Sequence, residues 1–356
     1  MTSEAQRSKL ARGSGIDMRC PTLRDLPKAD AGLVGWPWDE ATPELPDAMP
    51  NDQPWPRITI VTPSFNQAEF LEEAIRSVLL QGYPDIEYMV VDGGSHDGSV
   101  EIIEKYRRWL TWWVSEPDGG QVDAINKGLA RSTGAVFNWI NSDDLLNPGA
   151  LGEVAAGFDA ATDAFAGACL VFGEGRTPLA QTNRKLKPEL LIQGAAGARL
   201  QQPALWLRRF HVHSCGGLDA TFHFFFDVEL AIRYLAMFPS VRYSDAVLAR
   251  FRFHSESKSV AMLKEFHREY VRALEKTRDA AGSESLRRHA TRRLEELDRH
   301  RELARLLGDT ARPCWRRVIS LVGMAVRDPR PRLLKISAAG LRRLVLGRPW
   351  TVGTGD

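Results

Sequence analysis

The stretch RITIVTPSFNQAEFLEEAIRSVLLQG, residues 57–82, changes its hydrophobic period partway along. Residues 57–63 are mostly apolar and β-branched, which is typical of a strand buried on both faces. From Gln67 to Gln81 the apolar residues recur at helical spacing, at Phe70, Leu71, Ala74, Ile75, Val78 and Leu79. A buried strand followed directly by an amphipathic helix predicts the first unit of an α/β domain.

The same alternation recurs three times downstream. Predicted strands at 87–91, 111–115 and 135–140 precede predicted helices at 99–109, 122–131 and 148–158. This order predicts an open, mainly parallel sheet with right-handed crossovers. The four strand ends carry TPSFN, DGGSHDG, EPDGGQ and NSDD. Because ligands bind at the carboxyl ends of parallel strands, we expect these four loops to converge on one crevice.

The predicted crevice is acidic, with carboxylates at Asp92, Asp97, Glu116, Asp118, Asp143 and Asp144. Such loops favour Mg²⁺ or Mn²⁺, which in turn bridges phosphate oxygens. The first strand is not followed by GxGxxG, and no GxxxxGK[ST] is present, so a dinucleotide or P-loop site is not indicated. Two structural alternatives stay open: a helix-capping loop at Asp143–Asp144, and a simple turn at Asp92.

Charge is distributed unevenly along the chain. Residues 310–350 contain ten Lys or Arg and one acid, Asp328, so this segment carries about +9 while the whole chain carries +2. Apolar runs, VISLVGMAV and LRRLVLG, interrupt the basic residues, which favours an anionic membrane surface over a plain solvated helix. No aromatic platform accompanies the charge, so nucleic acid is not an expected partner.

The two ends of the chain differ from its middle. Residues 1–55 are rich in Pro and predict an extended arm, with Trp36, Trp38 and Trp55 pinning it to the domain surface. Residues 261–307 predict one or two long charged helices. The four Cys form no CxxC pair, and the sequence shows neither an apolar leader nor a run of 18 apolar residues, so we expect a cytoplasmic location and no membrane-spanning helix.

Four blocks together resemble family-two glycosyltransferases of the GT-A fold, in the nucleotide-diphospho-sugar transferase superfamily. They are ITIVTPSFNQAEFLEEAIRSVLLQGYP, VVDGGSHDGS, SEPDGGQVDAINKG and WINSDDLLNPGAL, and the later GGLDATFHFFFDVELAIRYL resembles that family's acceptor-side helix start. The resemblance covers residues 57 to about 255. It implies a metal-dependent, inverting glycosyltransferase that moves a sugar from a nucleotide-diphosphate donor to an acceptor hydroxyl. Because a membrane-associated acceptor would explain the basic segment 310–350, we expect a role in cell-surface polysaccharide or glycolipid synthesis.

By this resemblance, several residues bind the nucleotide sugar. Pro63, Ser64 and Asn66 line the nucleotide, and Asp92 holds the base or the ribose. Asp118 and Gln121 lie beside the nucleotide or the sugar.

The resemblance also implies metal and catalytic residues. Asn141–Asp143 stands where the family has its Asp-x-Asp metal motif, with Asn in the first position, so Asp143 and Asp144 are expected to contact Mg²⁺ or Mn²⁺ and the sugar. His254 is a further candidate contact to the metal or diphosphate. Asp227 matches the catalytic base, with Glu229 as the alternative.

The predicted organisation has three parts: the arm 1–55, a GT-A domain 56–260 and a helical basic extension 261–356. Within the domain, 56–158 is the nucleotide-sugar half and 159–260 the acceptor half. We expect the chain to be cytoplasmic and peripheral on the inner face of the membrane. The rival functions are a nucleotidyltransferase, for which TPSFNQ lacks a basic Gly-rich loop, and a non-catalytic nucleotide-sugar or glycan-binding module, which would not need Asp92, Asp143, Asp144 and Asp227 together.

Overall fold

The computed structural model describes residues 19–194, 200–254, 263–280, 282–308, 314–328 and 330–345. The chain divides into two compact units. The first comprises Met1–Lys187 and Arg199–Phe266, and the second comprises Pro188–Ala198 and His267–Asp356. The domain limits expected from the sequence stay a prediction.

The first half of the sheet has the predicted alternation. Its strands are β1 (Ile58–Ser64), β2 (Ile86–Asp92), β3 (Trp112–Ser115) and β4 (Val136–Trp139), and its helices are α1 (Ala68–Leu79), α2 (Ser99–Tyr106), α3 (Gln121–Arg131) and α4 (Ala150–Gly157). A 3₁₀ turn, Arg107–Trp109, replaces the last part of the predicted second helix. All three strand pairings here are parallel, and Ser64, Asp92 and Ser115 lie in register across β1, β2 and β3. Their loops therefore leave the sheet at one edge.

The rest of the sheet mixes directions. It contains β5 (Leu145–Leu146), β6 (Ala164–Gly173), β7 (Leu179–Thr182), β8 (Leu205–Arg208) and β9 (Val241–Phe253). The strand order is β3-β2-β1-β4-β8-β6-β9-β5, with β7 beside β6. β8 is antiparallel to both β4 and β6, whereas β6 and β9 are parallel. Two helices, α6 (Arg209–Ser214) and α7 (Phe226–Met237), complete the described part of this unit.

The core lies where the helices cover the central strands. Every residue of β1, β2 and β4 is buried, as their apolar runs predict. α3 lies directly on β1, because a Cβ added at Gly128 would stand 2.4 Å from Cγ2 of Val61. Glycine is needed at this position for the close approach of helix and strand.

The N-terminal arm packs on this core through its tryptophans, which confirms the prediction. The indole Nε1 of Trp36 donates to the carbonyl of Leu146 at 2.9 Å, and the ring of Trp55 lies edge-on to Tyr83 at 5.6 Å. The third, Trp38, lies 5.6 Å from the guanidinium of Arg76. No helix or named strand occurs in the described residues of the arm, 19–55.

A buried arginine joins α1 to the arm. Arg76 is 1% exposed although it lies on a helix whose buried residues are mostly apolar. Its guanidinium donates to three arm carbonyls, those of Pro27, Pro37 and Trp38, at 2.9–3.0 Å. A fourth bond reaches the Tyr106 hydroxyl at 3.1 Å. A buried charge persists only when its donors are satisfied, so the arm is part of this fold.

Helices dominate the second unit. α5 (Pro188–Ile192) is followed, beyond α7, by α8 (Leu263–Asp279), α9 (Glu284–Gly308), α10 (Cys314–Arg327) and α11 (Pro331–Val345). One or two long helices were expected over 261–307, and the structure has two, α8 and α9. The Tyr270 hydroxyl donates to the carbonyl of Ile192 at 2.6 Å and accepts from Arg293 at 2.9 Å. Among the described helices, none is long and apolar enough to cross a membrane.

Candidate active site

The loops after β1 and β2 are hydrogen-bonded to each other. The backbone N–H of Asn66 donates to the Ser95 hydroxyl at 2.7 Å, and the Asn66 side-chain carbonyl accepts from the N–H of His96 at 3.0 Å. Asp97 accepts from the first N–H of α1, at Ala68, and also from the N–H of Ser99 at the start of α2. These bonds fix TPSFN and DGGSHDG as one rigid surface.

Asp92 organises the second loop from inside. Its carboxylate is fully buried and accepts from the N–H groups of Gly94 and Ser95 at 3.0 and 2.8 Å. It also accepts from the hydroxyls of Ser95 and Ser115 at 2.5 and 2.7 Å. Ser115 is the last residue of β3, so this one carboxylate ties the loops after β2 and β3 together.

The third loop closes on the first two around Gly93. A Cβ at Gly93 would lie 3.2 Å both from Oδ1 of Asp118 and from Cδ2 of Phe65. Asp118 itself accepts from the N–H of Gly120 at 2.8 Å, and burial raises the pKa of its carboxyl. Three loops therefore approach one another within contact distance, as the strand topology predicts.

Asn141 connects the third loop to the fourth. Gln121, the first residue of α3, donates through Nε2 to Oδ1 of Asn141 at 2.7 Å. The other end of the amide, Nδ2, donates to Asp144 at 3.1 Å. At the position where the family carries its first carboxylate, this chain thus has a neutral residue that donates one hydrogen bond and accepts another.

The adjacent carboxylates Asp143 and Asp144 have different partners. Asp144 is fully buried and accepts from the backbone N–H of Arg252 on β9 at 3.0 Å. Burial, together with the neighbouring Asp143 carboxylate, raises the pKa of Asp144 well above its usual range. Asp143 is about a quarter exposed, and its Oδ2 lies 3.1 Å from Nε2 of His254. The structure therefore brings Asp143 together with His254 and leaves Asp144 beneath them.

Asp143 and His254 lie side by side, with 3.1 Å between Oδ2 of Asp143 and Nε2 of His254. Within the described residues, no group of three or more His, Cys, Asp or Glu side chains could hold a metal ion. One carboxylate together with phosphate oxygens and water is how Mg²⁺ is commonly held, and an imidazole nitrogen beside that carboxylate suits a transition-metal ion such as Mn²⁺.

The first turn of α7 contains both candidate bases, in different surroundings. Glu229 is 3% exposed and forms a two-point ion pair with Arg233 at 2.6 and 2.7 Å. Asp227 is partly exposed and accepts from the N–H of Val228 at 2.8 Å. Burial raises the pKa of Asp227 to about 6, despite its place at a helix N-terminus. The ring of Phe226 lies 6.1 Å from Trp139, so α7 begins beside the strand that leads into NSDD.

The sequence that forms these four loops matches a known protein family. Residues 59–217 match the family model described as Glycosyl transferase family 2. These residues belong to a glycosyl transferase family 2 domain. This confirms the resemblance seen in the four sequence blocks.

Related sequences of the family 2 domain are themselves uncharacterized glycosyltransferases. One from Mycobacterium tuberculosis (strain H37Rv) is 38% identical over 90 residues, which cover 25% of this chain and 34% of the relative. Another from Rickettsia felis is 26% identical over 221 residues, which cover 57% of this chain and 35% of the relative. The chain thus spans about a third of the length of these relatives.

Solved structures share the fold of the family 2 domain. Staphylococcus aureus TarS 1-349 in complex with UDP-GlcNAc superposes with a TM-score of 0.55 at 17% identity, covering 84% of this chain and 95% of that one. The mannosyltransferase PcManGT from Pyrobaculum calidifontis, in complex with GDP-Man and Mn²⁺, superposes with a TM-score of 0.54 at 16% identity, covering 82% and 88%. The predicted GT-A fold, with its helical C-terminal region, is confirmed.

Two residues beside these loops, Phe65 and Arg252, were not predicted from the sequence, whereas Ser64 was expected to line the nucleotide. Phe65 is 58% exposed between the nucleotide loops, and the buried Ser64 hydroxyl has no hydrogen-bond partner among the described residues. An aromatic inside a polar loop was a usable signal for Phe65. Arg252 donates to the carbonyl of Asp143 at 3.1 Å and pairs with Glu73 at 2.5 Å. No sequence pattern marks a contact across 109 residues.

Proposed function

We propose that the family 2 domain transfers a sugar from a nucleotide-diphosphate donor to an acceptor hydroxyl. The observation that carries the proposal is the linked edge of four strand-end loops. There a buried Ser64 hydroxyl has no hydrogen-bond partner within the described part of the chain, and the Phe65 ring is exposed. The solved neighbours support the donor class, since one is a complex with UDP-GlcNAc and another a complex with GDP-Man.

The donor would lie across this edge. Phe65 offers a flat apolar face for the nucleotide base, and the Ser64 hydroxyl can donate to a phosphate or sugar oxygen. The other proposed donor-site residues are Pro63, Asn66, Asp92, Asp118, Gln121 and Asp143. The side chains of two of them, Asn66 and Asp92, accept hydrogen bonds from backbone N–H groups of the second loop. They would therefore act largely by holding the loop backbone in position for the donor.

We assign the cation site to Asp143 and His254. Asp144 would support the site from below through Asn141 and the backbone of β9. A bound Mg²⁺ or Mn²⁺ would neutralise the charge that develops on the leaving diphosphate. Arg252, by holding the carbonyl of Asp143, would keep the loop in place with or without the cation.

Asp227 is the proposed general base, in preference to Glu229. Its pKa of about 6 leaves it ionised near neutral pH yet basic enough to accept a proton, whereas Glu229 is held by Arg233. The proton of the acceptor hydroxyl passes to Asp227 while that oxygen bonds to the anomeric carbon from the face opposite the diphosphate. The anomeric carbon–oxygen bond breaks, and the nucleoside diphosphate leaves with the bonding electrons. The configuration at that carbon is inverted.

The acceptor belongs to the proposal as well. We propose a glycan or lipid-linked acceptor in cell-surface polysaccharide or glycolipid synthesis, handled at the cytoplasmic face of the membrane. A nucleotidyltransferase or a non-catalytic binding module would use the same edge, and each predicts a different outcome in the experiment below.

The test is a thermal-unfolding screen of the full chain with UDP, GDP, CDP and dTDP sugars, with and without Mn²⁺. We expect at least one nucleotide sugar to raise the melting temperature, and Mn²⁺ to increase the rise. Asp143→Asn should remove the Mn²⁺-dependent part, because an amide is a weaker cation ligand than a carboxylate. The matched control is Asp245→Asn, since Asp245 is exposed, pairs with Arg184 at 2.5 Å and lies outside the four strand-end loops.

Activity then separates the candidate functions. A transferase releases nucleoside diphosphate when donor and acceptor are both present, and Asp227→Asn should bind donor normally but release none. A nucleotidyltransferase would instead release pyrophosphate from a nucleoside triphosphate. The donor-site proposal would be wrong if no nucleotide sugar stabilised the chain under any of these conditions.

A further inference from the structure

The helix α10 has apolar side chains on two opposite faces. Leu321 and Met324 are 2% exposed and pack with Leu303 in a small core, with Leu306, Ile336 and Leu341 around it. On the other side, Ile319 is 61%, Val322 49% and Val326 72% exposed. At 100° per residue, positions 319, 322 and 326 share one face, roughly opposite 321 and 324. We refer to these three exposed residues as the α10 ridge.

An exposed apolar ridge on a packed helix needs an explanation. Scattered single apolar residues on a surface are ordinary, but a line of three along one helix face is typical of an interaction site. The helix already has the partners its structure requires, because its inner face is buried. The ridge side chains remain largely exposed, so they are available to a partner outside the unit.

Charge identifies the kind of partner. No acidic residue occurs in α10, and the segment 310–350 carries about +9 from ten basic residues and Asp328. Arg316 is exposed in the first turn of α10. Lys335 and Arg342 are exposed on α11, where their spacing of seven residues puts them on the same face of the helix. Arg312 and Arg348, two further basic residues of the segment 310–350, lie outside the described residues.

We infer that the α10 ridge inserts into the interface of an anionic phospholipid bilayer while the surrounding cations contact the headgroups. Amphipathic helices with an apolar face and flanking Lys and Arg lie in this interface, and their affinity combines apolar burial with attraction to acidic lipid. A second copy of the same surface fits less well, because a symmetric contact would bring two strongly cationic segments together. The inference goes beyond sugar transfer and concerns a surface separate from the donor loops.

The experiment is flotation of the full chain with liposomes of phosphatidylcholine alone or of phosphatidylcholine mixed with phosphatidylglycerol. We expect flotation with the mixed vesicles only, weakening as salt is raised. The ridge variant Ile319→Gln, Val322→Gln, Val326→Gln keeps good helix formers and should bind at least about tenfold more weakly. The charge variant Arg316→Gln, Lys335→Gln, Arg342→Gln should lose about fivefold for each cation removed.

The matched control removes equally exposed apolar residues elsewhere. Leu179, Phe210 and Met237 are 61%, 72% and 55% exposed, close to the values of the ridge. Their triple Gln variant should float like the parent chain. Circular dichroism and the nucleotide-sugar melting shift, measured on every variant, show that folding and donor binding are retained, so a failure of membrane binding is distinguishable from a failure of the proposed transfer.

Three results would overturn the inference. The parent chain could stay unbound to both kinds of vesicle, or it could bind neutral and anionic vesicles equally. The ridge variant could also float as well as the parent. If light scattering showed a dimer of the parent that the ridge variant lost, with no flotation of either, the ridge would be a self-association surface instead.

Discussion

Replacing Asp227 by Asn should make the protein more stable at high pH while it abolishes transfer. Burial raises the pKa of Asp227 from 3.8 to about 6. Because this folded-state value lies above the unfolded one, the stability linked to the protonated carboxyl is fully present below pH 3.8 and is lost as the pH rises through about 6. At about 1.4 kcal/mol per pH unit, the loss is about 3 kcal/mol. Because the Asp227 side chain is partly exposed and solvent screens its charge, this loss of stability is an upper bound.

The Asp227→Asn substitution removes the carboxylate charge but keeps the shape of the side chain. The Asn side-chain carbonyl can still accept from the N–H of Val228, the bond that Oδ1 of Asp227 makes at 2.8 Å. Urea unfolding of both proteins, from about pH 4 to about pH 8, should show the stability difference moving in favour of the variant by up to about 3 kcal/mol. In the parent chain, transfer should rise with pH through about 6, because the base works only when ionised.

The control is the neighbouring carboxylate. Glu229→Gln breaks a buried two-point pair and leaves Arg233 charged without its counter-ion, so it should destabilise by about 3–5 kcal/mol with no comparable dependence on pH. The reasoning on Asp227 fails if the difference between Asp227→Asn and the parent is the same at both ends of the pH range, or if the variant retains transfer.

Three further substitutions test separate parts of the structure. Phe65→Ala should weaken donor binding by about 1–3 kcal/mol without changing the unfolding free energy, as measured by calorimetric titration and urea unfolding, because the ring is 58% exposed. Arg76→Met should cost about 3–5 kcal/mol of stability, since three arm carbonyls lose their donor; a loss below about 0.5 kcal/mol would show that the arm is dispensable. Gly128→Ala should cost about 1–3 kcal/mol in the same assay, because its Cβ would stand 2.4 Å from Val61, and an unchanged midpoint would refute that close packing.

The parts of the fold set by local pattern were predictable from the sequence. β1 to β4 and α1 to α4 alternate because the hydrophobic period switches between strand and helix, and each switch is contained within about a dozen residues. The meeting of the four loops followed from the topology alone. The tryptophans of the Pro-rich arm were also predicted to contact the domain surface, and Trp36 and Trp55 do so.

Long-range contacts were not predictable in this way. Two adjacent Asp residues suggest a shared role, but Asp144 accepts from the backbone of β9 while Asp143 faces His254, and both partners are more than a hundred residues away. Arg76 shows the same limit on a helix, since a basic residue in an amphipathic segment is usually solvated and here is enclosed by the arm. Such choices depend on which distant backbone groups need a donor or an acceptor.

The buried position of Arg76 has a consequence for dissecting the protein. A fragment trimmed to the family match, residues 59–217, would leave its guanidinium with one of four acceptors, the Tyr106 hydroxyl. That fragment would also lack α7 with Asp227, and β9, which pairs with both β5 and β6 and leads to His254. A piece that keeps these contacts should therefore begin before Pro27 and extend to at least His254, well outside the limits that sequence similarity alone would suggest.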